Sequence, residues 1–240
     1  MVSGVALVSV LMIMGVIAPQ PTWAYEGYVE ESAEMDPWEP FNRRVFWFND
    51  QMDRWFLRPI AVSYRAVMPD FAEKGVSNFF NNLEEIRNVV NAGAQFKWGK
   101  AGRSLGRFLI NSTFGLAGVL DVASALNVGA VDEDFGQTLG HWHAKPGPYV
   151  VLPFLGPSTL RDTVGLVPDR LLNLTREIND IRTKNSAWSL EVVDLRASLL
   201  DVEDILSGDR YTFVRDAYLQ NREFLVKDGE VVDDFLDDDW

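Results

Sequence analysis

The sequence predicts an all-α protein, and three observations carry that reading. Apolar residues recur at helical spacing over most of the chain, Gly and Pro punctuate those runs, and the one good strand signal is confined to residues 149–152. A chain of 240 residues suits one sizeable domain with a core of its own. No internal repeat is visible.

Taken in order, the first element is a targeting segment. Residues 5–17 (VALVSVLMIMGVI) form an apolar run shorter than a membrane span, with Pro19 and Pro21 directly after it. This is the pattern of a secretory signal, although no Lys or Arg precedes the run. Thr22, Trp23 and Ala24 offer a cleavage site, so residues 1–24 are expected to be a signal peptide, followed by an acidic linker over residues 25–35.

In residues 40–56, Phe41, Val45, Phe48, Met52 and Phe56 stand at helical spacing, with Arg44, Asp50, Asp53 and Arg54 mostly on other faces. That is an amphipathic helix, and Pro40 suits its first turn. The pair Arg58 and Pro59 is expected to stop it, with a second short helix over residues 60–67 ended by Pro69. Residues 70–92 place Val76, Phe79, Phe80, Leu83, Ile86, Val89 and Val90 on one apolar stripe, a further amphipathic helix. Residues 100–126 hold a longer apolar stretch broken by Gly115 and Gly118. Because Arg103, Arg107 and Asn111 interrupt it, it is no simple membrane span, while Gly102 and Gly106 predict the close approach of another helix.

Residues 134–162 (DFGQTLGHWHAKPGPYVVLPFLGPSTLRD) stand apart. Gly136, Gly140, Gly147 and Gly156 alternate with Pro146, Pro148, Pro153 and Pro157 too densely for a regular helix, and Tyr149, Val150, Val151, Leu152, Phe154 and Leu155 are almost wholly apolar. An irregular apolar segment of this length is expected to be a loop or hairpin of fixed shape with a function. Helices over residues 160–174, 187–206 and 210–225 complete the set, the last with Tyr211, Val214, Tyr218 and Leu219 on one side. Asp233, Asp234, Asp237, Asp238 and Asp239 make residues 230–240 an acidic tail, expected to be disordered.

Composition and motifs exclude several activities. A net charge of −13 disfavours nucleic acid, which requires clustered Lys and Arg. The sequence has no Cys, which removes disulfides, thiol catalysis and Cys-ligated metals, and His141 and His143 are its only histidines. With no G-x-S-x-G elbow and two His in one short loop, neither a serine triad nor a metal centre is expected. No catalytic residue and no cofactor is assigned. Residues 93–100 (GAQFKWGK) resemble a phosphate loop only superficially, since the spacing is one residue too long and Ala101 stands where Ser or Thr belongs. Eight Trp and an aromatic content of 12% suit the boundary between water and lipid as well as an ordinary core. Short amphipathic helices without a span can pack into a globule or lie in one leaflet with apolar faces outward.

Residues 36–43 (DPWEPFNR), 78–83 (NFFNNL), 106–124 (GRFLINSTFGLAGVLDVAS), 211–224 (YTFVRDAYLQNREF) and the 134–162 segment occur in an order that resembles the MlaA (VacJ) family across residues 36–229. The resemblance implies a ring of helices in the inner leaflet of the outer membrane around a polar channel. It implies removal of misplaced phospholipid from the outer leaflet, handed to a periplasmic lipid-binding shuttle, with trimeric porins as partners and no covalent chemistry. Family members carry a lipidated N-terminal Cys and usually Gly at position 143, and this sequence departs from both. Attachment at the periplasmic face is therefore expected through other contacts, and a periplasmic structural or surface-spreading envelope factor is the alternative.

Lipid handling needs a polar passage and a shaped gate. Arg43, Arg44, Arg107 and Arg161 are candidates for holding a lipid phosphate through paired donors, with ion pairing to Asp36, Glu39, Asp121 or Asp162 as the competing use. Asn78 and Phe79 are candidate channel residues, and Gly136, Gly147, Pro148, Tyr149, Gly156 and Pro157 are candidates for a gating loop.

Overall fold

The computed structural model describes residues 35–201 and 208–229, so the expected signal peptide, most of the acidic linker and the acidic tail lie outside the described residues. Helix α1 (Glu39–Met52) begins with Pro40 in its first turn and runs through a π-turn (Asp53–Leu57) into α2 (Arg58–Val67). The expected stop at Pro59 does not occur. The wider π-turn lies directly ahead of it, and Pro59 sits in the first turn of α2, where its missing N–H costs nothing.

Helix α3 (Asp70–Ala94) follows Pro69 and packs along α4 (Trp98–Phe114). A tight turn over residues 115–121 leads to the single turn α5 (Val122–Ala125). The close approach expected at Gly102 and Gly106 is absent: a Cβ on either would meet nothing within 4 Å. The close approaches fall elsewhere. A Cβ on Gly165 would lie 2.7 Å from the Gly136 amide nitrogen, which is what lets two helices touch.

Those helices are α6 (Phe135–His141) and α7 (Leu160–Leu172), separated by a hairpin of β1 (Tyr149–Leu152) and β2 (Gly156–Thr159). The 134–162 segment is thus less irregular than its Gly and Pro content predicts. Asp134 accepts the Gln137 amide and caps α6, and Thr159 caps α7 in the same way. The expected strand forms, and β2, which sequence missed, pairs with it antiparallel with Tyr149 opposite Thr159 and Leu152 opposite Gly156. After a 3₁₀ turn (Leu174–Glu177), α8 (Ile181–Ser198) starts earlier than expected because Asp180 caps it, and α9 (Arg210–Val226) starts on an Asp209 cap.

Packing contacts pass from α1 to the hairpin, from the hairpin to α9, then through α6, α3, α8 and α2 back to the π-turn and α1. The apolar core is small. Tyr149, Val151 and Tyr211 are buried together, with Val45, Phe46, Tyr218 and Leu219 packed around them.

Candidate functional site

Burial runs opposite to the ordinary pattern. Among the described residues, buried polar and charged side chains outnumber buried apolar ones about two to one, while Trp47, Trp55, Phe71, Trp98 and Phe114 are among many large apolar side chains left exposed. Helix α3 shows how. Its buried positions are Gly75, Phe80, Asn82, Glu85, Asn88, Asn91 and Ala92, so of the two packings an amphipathic helix allows, the one with the polar face inward is realised. Large exposed apolar area of this extent marks an interaction surface.

The inward polar groups satisfy one another. Arg107 donates from Nε to Glu85 Oε1 at 2.6 Å, from Nη1 to Ser124 Oγ and the Val128 carbonyl, and from Nη2 to Asp121. Asn111 donates to Asp121 and accepts the Ala123 amide. Asn88 donates to the Val131 carbonyl and accepts the Glu133 amide, Gln95 donates to Glu133 and Thr138, and Asn91 donates to Asp169. A second cluster centres on Arg222, which donates to both Asp134 and Asp162, while Tyr218 and Arg161 also donate to Asp162. Burial pushes the Asp134 carboxyl up, but hydrogen bonds and charge from Arg222 overcome it and hold that carboxyl at about 2.

Where α3, α7, the 3₁₀ turn and α8 meet, a cleft opens. Phe80, Leu83 and Leu172 give it apolar walls, and Glu84, Arg87, Asp169, Asn173, Thr175 and Glu191 give it polar ones. Its open space, mouth included, totals about 330 Å³, within which the centres of water-sized groups have about 30 Å³. Glu84 exposes 43% of its side chain at the cleft. Burial raises the Glu84, Glu191 and Asp169 carboxyls. Neighbouring negative charge adds to each: Asp132 and Glu85 at Glu84, Glu84 at Glu191, and Asp134 at Asp169. Asp169 is held by the Phe135 amide and Asn91. Arg87 reaches Asp132 at 3.1 Å and Glu84 at 3.7 Å through Nη2, whereas its Nε and Glu191 Oε2 are buried without a hydrogen-bond partner.

The sequence-predicted residues are spread over the molecule. Arg43 donates to Glu39 and Asp209 and stacks over the Tyr211 ring at 4.4 Å. Arg44 is exposed on α1. Arg107 and Arg161 are buried, and Arg43, Arg107 and Arg161 all pair with carboxylates, among them Glu39, Asp121 and Asp162. Asn78 donates to the Val119 carbonyl, and Phe79 packs edge-on to Phe80 beside the cleft. Gly136 sits under Asp162 and Arg222, where any Cβ would collide. Gly147 and Gly156 hold positive φ of 68° and 84°, the Pro148 carbonyl accepts the Leu160 amide, Tyr149 is fully buried, and Pro157 pairs with Val151. His141 and His143 are exposed, and no group of His, Asp or Glu able to hold a metal ion occurs among the described residues.

Sequence reasoning missed Asn42 and Asn49, seven residues apart on one face of α1. Asn42 donates to the Tyr149 carbonyl and accepts the Val151 amide, and Asn49 does the same with the Leu152 carbonyl and the Phe154 amide. Two side-chain amides thus replace a neighbouring strand along the free edge of β1. Their spacing was visible; the edge they serve was not. Arg87 and Glu191 were missed too, because the stripe of α3 drew attention to its apolar side.

Fold and site together define an all-α protein turned inside out, with a hydrogen-bonded polar interior, an apolar perimeter and, among the described residues, no helix long and apolar enough to cross a membrane. The MlaA lipoprotein family profile matches residues 34–225, and the chain belongs to that family. It is 37% identical over 208 residues to the intermembrane phospholipid transport system lipoprotein MlaA of Shigella flexneri, covering 84% of this chain and 82% of the relative. The protein of the same description from Escherichia coli K12 is 36% identical with the same coverage. A solved chain from work on the structural basis for maintenance of bacterial outer membrane lipid asymmetry superposes with a TM-score of 0.71 at 37% identity, covering 80% of this chain and 98% of that one.

Proposed function

We propose that this protein, exported by a signal peptide within residues 1–24, sits in the periplasmic leaflet of the outer membrane. There it removes mislocalised phospholipid from the outer leaflet and passes it to a periplasmic lipid-binding shuttle, preserving lipid asymmetry. The observation that carries this reading is the inverted burial: exposed aromatic and aliphatic side chains suit acyl chains, and the polar interior suits a headgroup. Membership of the MlaA family and the names of its relatives support the substrate. The closed order of packing contacts supports a ring enclosing a passage, and the exposed rim supports docking against trimeric porins. No covalent step is invoked, so transport is passive or coupled to a separate motor.

Within this reading the β1–β2 hairpin is the gate, shaped by Gly147, Pro148, Tyr149, Gly156 and Pro157 and seated through Gly136. Arg44, Asn78 and Phe79 line the route, and Arg43, Arg107 and Arg161 hold its walls. The test is surface-exposed phospholipid in a deletion strain, with and without this chain restored. Accumulation rescued by the chain is expected. An unchanged surface in a clean deletion would transfer the role to envelope structure without transport.

A further inference from the structure

We propose that the cleft between α3, α7 and α8 is a headgroup site that prefers zwitterionic phospholipid bearing a primary ammonium over anionic phospholipid. The inference rests on the transport reading above and names the substrate class of that route. The roughly 30 Å³ open to the centres of water-sized groups accommodates one or two waters and therefore one small polar group, not a whole lipid. The larger mouth carries the rest of the headgroup, and Phe80, Leu83 and Leu172 offer apolar surface to the start of the acyl chains.

Charge decides which polar group enters. Glu84 and Glu191 both face the cleft, and Arg87, its only cation among the described residues, is turned through Nη2 toward Asp132 and Glu84. Glu191 Oε2 accepts from no donor of the protein itself. A primary ammonium is water-sized and carries three N–H donors, able to reach Glu84 and Glu191 together. The adjoining phosphate then reaches Arg87, whose buried Nε also lacks a partner. A glycerol headgroup brings only negative charge and hydroxyls to the same carboxylates. A quaternary ammonium is bulkier and has no N–H to give.

The experiment is calorimetric titration of the full chain in detergent with dihexanoyl phospholipids carrying ethanolamine, choline or glycerol headgroups, beside a vesicle-to-vesicle transfer assay of the same preparations. The ethanolamine lipid is expected to bind about tenfold more tightly than the glycerol lipid, the difference one charge-assisted hydrogen bond makes. Glu191→Gln, which keeps size and shape, is expected to bring the two within about twofold while transfer of glycerol lipid continues. Glu84→Gln, at the second carboxylate, provides the same comparison if the first variant unfolds. Equal binding of all three lipids by wild-type protein that still transfers them would overturn the headgroup site and leave the transport reading standing. Failure to transfer any lipid would remove both. Water-soluble glycerophosphoethanolamine binding as tightly as the lipid would also overturn it, since the cleft would then read a free solute.

Discussion

The seam between α3 and α4 and the cradle of α1, hairpin and α9 differ in what they bury, for only the cradle adds an apolar core to its polar bonds. In the seam, Glu85, Asn88, Asn91, Gln95, Arg107 and Asn111 are buried and cross-linked by hydrogen bonds, and the apolar side chains of the same helices, such as Val90, Leu109 and Phe114, point out. In the cradle, Tyr149, Val151 and Tyr211 form a conventional apolar core with Phe46 edge-on to Tyr211. The difference teaches where each part works. Surface that meets acyl chains gains nothing from hiding its apolar groups, so the seam must cohere through polar bonds, which strengthen in a dry interior. Breaking one partner there should cost more than trimming the cradle.

The largest expected effect is Arg107→Met. It strands Glu85, and to a lesser degree Asp121, as uncompensated carboxylates and should destabilise by about 3–5 kcal/mol, read as a drop in the denaturation midpoint of detergent-solubilised protein. Tyr211→Phe in the cradle removes only the hydroxyl that donates to Asp36 and should cost about 1–2 kcal/mol. Equal losses for the two would break the comparison.

Next comes acid. Asp134 is held at about 2 against an ordinary 3.8, so its folded value is the depressed one. Its contribution, about 2 kcal/mol, is complete above 3.8 and is lost as pH falls through about 2. An acid series of unfolding midpoints should show this loss in wild type and lack it in Arg222→Met.

Asn49→Ala should cost about 1 kcal/mol and act locally. Hydrogen exchange at the Phe154 amide should accelerate while the Val151 amide, held by Asn42, stays protected. Smallest for the fold is Trp55→Ser on the 74%-exposed face of the π-turn, within about 0.5 kcal/mol in stability. It should still weaken partition onto phospholipid vesicles, and unchanged partition would separate the apolar perimeter from lipid.

Much of this architecture was legible in the chain. The helical periods of α1, α3, α7 and α9, the strand at 149–152 and the family motifs each rest on residues close in sequence, where local sterics and spacing suffice. Pro59 misled because a proline's effect depends on the turn before it, and a π-turn is not written in composition. Gly102 and Gly106 misled because a small residue permits contact without supplying a neighbour, while Gly165 and Gly136 met only because the hairpin folds α6 and α7 together. Arg43, Arg107 and Arg161 pair with Glu39, Asp121 and Asp162, the competing use the sequence offered, whereas the pairing of Arg43 with Asp209, 166 residues away, and of Arg107 with Glu85 are contacts no local pattern encodes.

By itself the sequence determined that the protein is helical, amphipathic and similar to the MlaA family, because those follow from residue type and near-neighbour spacing. Tertiary structure alone decided which face of each helix is inside. Periodicity defines two faces and their polarity, but the sign of burial depends on the solvent each face meets, and only the packed arrangement of α3, α4 and α8 shows the polar faces turned toward one another.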